Sequence, residues 1–330
     1  MELYNDLHEK VCILHGIKEP CITSTLKTGD KEITFKFRKT NKFASQIKEE
    51  AYVRTDEDEF VIKQVEPDGD WFKCTGTLNV EELEGNQFPT GFETIEVTAE
   101  ECCGVAVAGT EWKVVSCEVT KKRTVRIEQN CSGWDVVQQV ITTYRCEIVF
   151  NSIKKEISIY EKVGQDRGAY FIERLNLKRL QIQSNSYDFC TRLIPVGKDG
   201  LMLNIEGKNY IENHQYSKKV KTMTWKDERY TTAESLQEDA EAKLEELSKP
   251  YRSYTADVIN LAEQSEEYKE VFSIGLGDTV LLVSKSTGIR ESHRIVKMYQ
   301  YPQTKEKNKV ELANTRLSFE EIQKTEQELS

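Results

Sequence analysis

Alternation of apolar and polar residues dominates the first ninety positions. In Lys31–Arg38 (KEITFKFR), Ile33, Phe35 and Phe37 fall on one side and Glu32, Thr34, Lys36 and Arg38 on the other. That period of two is the mark of a strand with one buried and one solvated face. Glu59–Val65 (EFVIKQV) and Asp70–Leu78 (DWFKCTGTL) repeat the logic, and Asp68-Gly69-Asp70 between them predicts a tight hairpin, because glycine takes positive φ without steric cost. Several strands joined by short turns predict a small antiparallel barrel or sandwich. Pro89 and Gly91 mark a boundary within Asn86–Glu93.

From Thr94 onward the periods mix. Ile95–Ala99, Trp112–Val119 and Arg123–Ile127 read as strands. Val136, Val137, Val140 and Ile141 share one face of a helix over Asp135–Thr143; β-branched residues are weak helix formers, so packing has to hold it. A hairpin follows, with Cys146, Ile148 and Phe150 facing Ile157 and Ile159 across a turn near Asn151–Lys155. Ala169–Gln183 and Tyr187–Pro195 read as strands, and Pro195 to Gly200 as a turn. After a polar stretch reaching Trp225 comes a helix over Ala233–Ser248. Leu236, Ala240, Leu244 and Leu247 form its apolar stripe, Thr231 and Glu234 its capping box, and Pro250 its stop. The remainder is strand-rich again: Tyr254–Asn260, Asp278–Ser284 and Ser292–Tyr301, with a hairpin loop at Ser286-Thr287-Gly288 and an edge strand at Lys309–Leu312. Leu317–Ser330 reads as a polar helix or tail.

Composition narrows the function class. A chain of 330 residues with 38% apolar and 31% charged residues has material for two to four folded domains. No run of eighteen apolar residues occurs, so no membrane anchor is expected, and the acidic start MELYNDLHEK carries no secretory core. The net charge of −10 argues against nucleic acid as a bound substrate, while leaving room for DNA to slide through a like-charged bore. Nine scattered cysteines without a C-x-x-C pair suit reduced, buried thiols better than a disulfide frame or a zinc site.

The chemistry in the sequence is thin. His8-Glu9-x-x-Cys12 is half of a zinc-protease motif and lacks the second histidine. Cys190 and His214 are the best pair for a thiol nucleophile and its base, set against coincidence among nine cysteines. Asp227-Glu228 and Glu81-Glu82 are adjacent carboxylates among many. Gly275-Leu-Gly277-Asp278 is no phosphate loop; it reads as a turn before a strand. Phe35, Trp71, Trp112, Trp134 and Trp225 read as core, or as subunit contacts, ahead of a sugar platform.

A series of short fragments is left over. Lys27-Thr28-Gly29-Asp30 and Ile62-Lys63 come first, followed by Asn176-Leu177-Lys178, Tyr187-Asp188-Phe189 and Thr191-Arg192-Leu193. Gly197-Lys198-Asp199-Gly200-Leu201, Gly207-Lys208, Tyr210-Ile211-Glu212-Asn213 and Asp227-Glu228-Arg229-Tyr230 continue it. Leu276-Gly277-Asp278-Thr279-Val280 and Arg294-Ile295-Val296-Lys297 close it. In this order, over nearly the whole chain, the series resembles the phage tail-associated family labelled prophage endopeptidase tail, or phage minor structural protein N-terminal region, which is baseplate-hub-like.

The resemblance implies an α+β, mostly antiparallel β fold, with two related small β-barrel tube domains and intervening mixed α/β domains. The expected division is a first tube domain over 1–90 and a mixed α/β domain over 91–168. A second tube domain would be drawn from 169–200 and 251–318, with an inserted segment carrying the capped helix at 201–250 and a tail at 319–330. It implies a structural tail-tip hub of a phage or prophage of a Gram-positive host, made in the host cytoplasm and carried at the virion tail tip. The implied partners are two further copies in a homotrimer, a hexameric distal tail protein, a tape-measure protein and receptor-binding proteins; DNA passes through without specific binding. Catalytic, cofactor-binding and metal residues are expected to be none, and an appended lytic domain has no room before Ser330. The alternative is a peptidoglycan endopeptidase acting on the host wall; a receptor- or carbohydrate-binding module is a second rival.

Overall fold

The computed structural model describes residues 1–249, 251–259 and 273–313. The expected helix stop at Pro250, the end of Tyr254–Asn260 and the polar helix or tail over Leu317–Ser330 lie outside them. The described chain falls into two compact units, one of residues 1–180 with 255–312, the other centred on residues 181–254.

The first unit begins with β1 (Glu2–Tyr4), β2 (Lys10–Ile13), β3 (Lys18–Thr25), β4 (Lys31–Arg38), β5 (Tyr52–Arg54), β6 (Glu59–Asp68) and β7 (Trp71–Leu78). The alternation in β4 holds: Ile33, Phe35 and Phe37 are buried, and their neighbours face outward. β6 runs past the expected end to Asp68, which pairs with Trp71 across Gly69, at φ +55°. After α1 (Glu81–Gly85) and β8 (Gln87–Phe88), β9 (Phe92–Thr98) leads into α2 (Ala99–Ala106). The expected strand Ile95–Ala99 therefore lies inside β9 and ends a residue early, because Thr98 caps α2 in a capping box with Glu101. β10 (Lys113–Cys117), β11 (Lys122–Ile127), β12 (Cys131–Ser132), α3 (Gly133–Tyr144), β13 (Glu147–Asn151) and β14 (Glu156–Tyr160) complete the mixed region. The expected β13–β14 hairpin is present, with Ile148 opposite Ile159 and Phe150 opposite Ile157. α3 buries Val136, Val137, Val140 and Ile141, and Ser132 caps it with Asp135.

The strand-rich end of the chain supplies β15 (Asp166–Ile172), β16 (Leu177–Asn185), β20 (Tyr251–Val258), β21 (Thr279–Ser284), β22 (Ile289–Gln300) and β23 (Lys309–Ala313). These strands do not stand apart from the first block. β22 pairs antiparallel with β3, setting Lys297 opposite Thr25 and Gln300 opposite Ile22. One sheet therefore runs β16-β20-β23-β22-β3-β4-β7-β6-β5-β1-β2, with β21 on β22 and β15 on β21. This path does not close on itself among the described residues. β23 is not the expected edge strand: it sits between β20 and β22. Alternation cannot distinguish an edge from an interior position when both faces are mixed.

The second unit holds β17 (Arg192–Val196), β18 (Ile211–Glu212), β19 (Thr222–Lys226) and α4 (Ala233–Leu247). The expected strand Tyr187–Pro195 is shifted: Tyr187 is 91% exposed, and regular pairing starts at Arg192. α4 packs Leu236, Ala240, Leu244 and Leu247 against Leu193, Leu203, Trp225 and Tyr230. Its cap is Thr232 rather than Thr231, and it accepts from Ser235 N–H rather than pairing with Glu234. The fold is α+β and mostly antiparallel, with parallel pairs at β10–β14, β15–β21 and β17–β19.

Phe150 is fully buried, with ring centroids 5.2 Å from Trp134 and 6.1 Å from Trp112. Phe150→Ala is expected to cost about 3–5 kcal/mol. Val149→Ala, next along the strand and 39% exposed, is expected to cost less than about 1 kcal/mol. Urea unfolding of both variants checks the assignment; equal losses would contradict it.

Candidate functional site

Cys190 and His214 do not make a nucleophile pair. The buried Cys190 Sγ donates to Arg192 O at 3.0 Å. His214 Nδ1 lies 3.0 Å from Ser217 O, and its Nε2 3.4 Å from Glu212 Oε1, so both ring nitrogens are engaged elsewhere. His8, from the half zinc motif, stacks on Tyr52 at 4.3 Å and contacts Glu59 Oε1 through Nε2 at 3.0 Å. The adjacent carboxylates are each held separately: Asp227 by Arg229, Glu228 by Lys226, Glu81 by the Tyr52 hydroxyl and Glu82 by Lys155. Burial pushes the Cys102 thiol up to about 11 and those of Cys74 and Cys146 to about 12, so these sulfurs stay protonated and unreactive. Among the described residues no group of three or more His, Cys, Asp or Glu is placed to hold a metal ion, and no helix is long and apolar enough to cross a membrane. Trp112 and Trp225 are core residues; Trp71 and Trp134 are half-buried.

The leftover fragments meet at junctions instead. The principal one surrounds Arg294, on β22. Its guanidinium donates to both Glu147 carboxylate oxygens (2.7 and 2.9 Å), to Gly277 O (3.0 Å) and to Val163 O (2.6 Å). Glu147 also accepts the Val163 N–H at 2.6 Å. Beside it, Asp278 accepts Gln165 N–H at 2.7 Å and Gly275 N–H at 2.8 Å. Gly277 N–H donates to Ile295 O, and Ile295 N–H to Asp278 O. The node thus ties together β13, the link between β14 and β15, the turn before β21, and β22. Backbone touches backbone here: a Cβ on Gly277 (φ +85°) would lie 2.5 Å from Val163 O, and one on Gly164 (φ +85°) would overlap the Gly277 carbonyl carbon. This is why Leu276-Gly277-Asp278 and Arg294-Ile295 go together.

A second node pins the first sheet to the β13–β14 hairpin. Ser152 Oγ accepts Glu59 N–H at 2.8 Å and lies 3.4 Å from Asp58 Oδ1, while Lys31 pairs with Asp58. The Glu59 side chain, 4% exposed, accepts from His8, Arg54 (3.1 Å) and Asn79 (2.8 Å). Burial pushes the Glu59 carboxyl up, but bonds from His8 and Asn79 and the charges of His8 and Arg54 outweigh it, leaving the group below the ordinary carboxylate range. Lys27-Thr28-Gly29-Asp30 joins the same contact. Thr28 O accepts from Gln138 on α3, and a Cβ on Gly29 would lie 2.6 Å from the Phe150 ring.

Other fragments close turns. The buried Asn176 accepts Ile172 N–H and donates to Tyr170 O, fastening the β15–β16 corner. In the second unit Lys198 N–H donates to Tyr230 O, and the Tyr230 hydroxyl donates to the buried Asp239 at 2.5 Å. Thr191, fully buried, bridges Lys219 O and Lys221 N–H. Glu147, Ser152 and Asp239 were not legible as site residues, since an isolated polar residue in a strand, turn or helix carries no local mark of burial. These arrangements hold chain segments together; none aims a group at an open reacting position.

Three family models match successive stretches of the chain: prophage endopeptidase tail N-terminal domain at residues 3–81, prophage endopeptidase tail domain at 89–159, and prophage endopeptidase tail at 165–323. No curated protein matches the sequence. Among solved structures the chain is similar to prophage tail protein gp18 from Listeria monocytogenes EGD-e, with 16% identity and a TM-score of 0.71 over 99% of this chain and 98% of that one. It is also similar to the 43 kDa tail protein of prophage MuSo2 from Shewanella oneidensis (13%, 0.67, covering 96% and 98%). The tail protein from Neisseria meningitidis MC58 shares the fold as well (10%, 0.64, covering 95% and 96%).

Two outcomes follow from the nodes. Arg294→Met leaves the partly buried Glu147 carboxylate without its partner and is expected to cost about 3 kcal/mol, whereas Arg294→Met with Glu147→Met recovers much of that loss. Additive losses in chemical denaturation would show that the two residues do not act as a pair. For Glu59, a lowered carboxyl contributes stability that is present above the unfolded pKa of about 4.3 and lost as pH falls through the folded value. Glu59→Gln should therefore be destabilised near neutrality and show a flatter acid limb; a limb parallel to that of the parent chain contradicts the assignment.

Proposed function

This chain belongs to the prophage endopeptidase tail family of phage tail-associated proteins, and on that premise we propose that it is a non-enzymatic hub at the tail tip. It serves a phage or prophage of a Gram-positive host, closes the tail tube and links it to the receptor-binding or lytic apparatus. Two tube domains, one within 1–90 and one drawn from 169–200 and 251–318, curve into barrel-like walls. A mixed α/β domain over 91–168 and an inserted segment at 201–250 complete the chain's division. Three copies make a ring of six such walls, matched to a hexameric distal tail protein and threaded by the tape-measure protein. DNA passes through without specific binding. Assembly takes place in the host cytoplasm.

The observation that carries this reading is how the chain uses its polar residues. Several fragments that mark the family are spent on internal junctions, while among the described residues the long sheet ends at β2 with no further strand paired to it. An unpaired edge is a template for another strand, and natural proteins cover it or use it. β2 carries Ile13, 51% exposed, beside Lys10. In a cyclic trimer each copy offers one edge and receives a different one, so the contacts close on rotation.

Light scattering on the chain mixed with its hexameric tail neighbour should give three copies per neighbouring ring; a chain that stays single in that mixture overturns the trimer. Turbidity of Gram-positive cell walls is expected to remain unchanged. Clearing that disappears in Cys190→Ser or His214→Ala would replace this reading with a wall peptidase.

A further inference from the structure

We propose that the groove between β18 and the flank of α4, within the second unit, takes an extended segment of another protein as an added strand, one that alternates basic and branched apolar residues. β18 ends its three-stranded sheet, ordered β18-β17-β19. Ile211 stands opposite Leu193 and Glu212 opposite Arg192, and Asn213 N–H donates to Thr191 O at 2.9 Å. In an antiparallel pair the main-chain groups of successive residues point to opposite sides of the strand. Those of Ile211 and Asn213 therefore turn toward β17, and the N–H and C=O of Glu212 turn away from it. Among the described residues nothing takes that couple. An unpaired couple of this kind is a template for one more strand.

A groove of ≈ 480 Å³ lies along this edge, the size of a ligand cleft. Gln237, Glu241 and Leu244 form one wall from a single stripe of α4, and the stretch from Tyr210 to Asn213 forms the other. Both ends of β18 are held. Before it, Ile205 and Lys208 exchange main-chain bonds of 2.9 and 3.0 Å around Gly207, at φ +82°. After it, the Asn213 side chain donates to Glu245 at 3.1 Å and ties the strand to the helix. Walls set in advance lower the cost of ordering on binding.

The lining selects the occupant. Ile205, Ile211 and Leu244 give apolar contact. Glu206 and Glu241 also line the groove, and among the described residues neither forms an ion pair; Gln237 donates to Glu241 at 2.7 Å. Glu212 is shared by Arg192 (2.8 Å) and His214 (3.4 Å), and Lys208 leans toward the Tyr210 ring at 5.9 Å. Carboxylates outnumber cations along the lining, so a basic segment is attracted and a nucleic acid repelled. Side chains alternate across an added strand. The residue opposite Glu212 falls on the same side of the sheet as that carboxylate, where opposite charges on neighbouring strands attract. The residues flanking it face the side of Ile211, which packs with α4, where branched apolar groups fit. The groove lies within the second unit of a single copy, so this inference goes beyond the hub reading and stands whether or not the ring forms.

The test follows the fluorescence anisotropy of fluorescein-labelled Lys-Val-Lys-Val-Lys-amide titrated with the full chain. A saturable rise is expected, weakened by added salt. Methylating the main-chain nitrogen of the central lysine removes the donor that meets Glu212 O and should cost about tenfold in affinity or more. Glu206→Lys with Glu241→Lys, both exposed, should weaken binding about tenfold with an unchanged thermal midpoint. No saturable binding would overturn the proposal. So would equal binding of the N-methylated peptide, which leaves charge alone as the attraction, or equal binding to the doubly substituted chain, which puts the peptide elsewhere. A chito-oligosaccharide that binds through the same carboxylates while the peptide does not would make the groove a sugar cleft and overturn it as well.

Discussion

The guanidinium of Arg294 is where the first unit is fastened. It makes four hydrogen bonds, meeting one carboxylate in two places and two main-chain carbonyls. The segments it gathers are far apart in sequence: Glu147 follows α3, Val163 leaves the β13–β14 hairpin, and Gly277 enters β21. A buried charge of this kind is costly unless fully met, so the geometry tolerates little variation. The two glycines set the spacing, because Gly164 and Gly277 approach backbone to backbone where any side chain would collide. The Asp58–Ser152 contact does the same for the first strands. With β3 paired to β22, the mixed region and both strand-rich ends become parts of one unit.

Local periodicity made much of the fold legible. β4 alternates without interruption, α3 and α4 carry clear apolar stripes, and the hairpins at Gly69, Ser152–Lys155 and Gly288 sit where chain-bending residues cluster. Misses came where local and tertiary preferences part. α2 is short and ambiguous in composition, although Thr98-x-x-Glu101 was there to be read as a capping box. β19 lies in a polar stretch and exists because it pairs with β17, which burial of Leu193 and Trp225 holds in place. The joining of β3 to β22 across most of the chain has no local signal at all. Neither has the difference between Thr231 and Thr232 as cap.

The leftover fragments teach the same lesson about the site. None held a nucleophile, a metal set or a phosphate loop, and several have a mechanical role in the structure. Asn176 closes a corner, Gly29 makes room for Phe150, Tyr230 anchors Asp239, and Arg294 clasps Glu147. Their partners were invisible because an ion pair between residues 147 and 294 leaves no trace in either neighbourhood. Fragments used in this way preserve the shape of the chain.

If the first unit acts as one rigid framework, its junction amides must open together with its core. Native-state hydrogen exchange measures this directly. The account predicts that the amides of Val163, Gln165, Gly277 and Ile295 exchange with the same opening free energy as those buried in α3 and β21. Exchange at the junction through a separate, low-energy opening, while α3 and β21 stay protected, would contradict it.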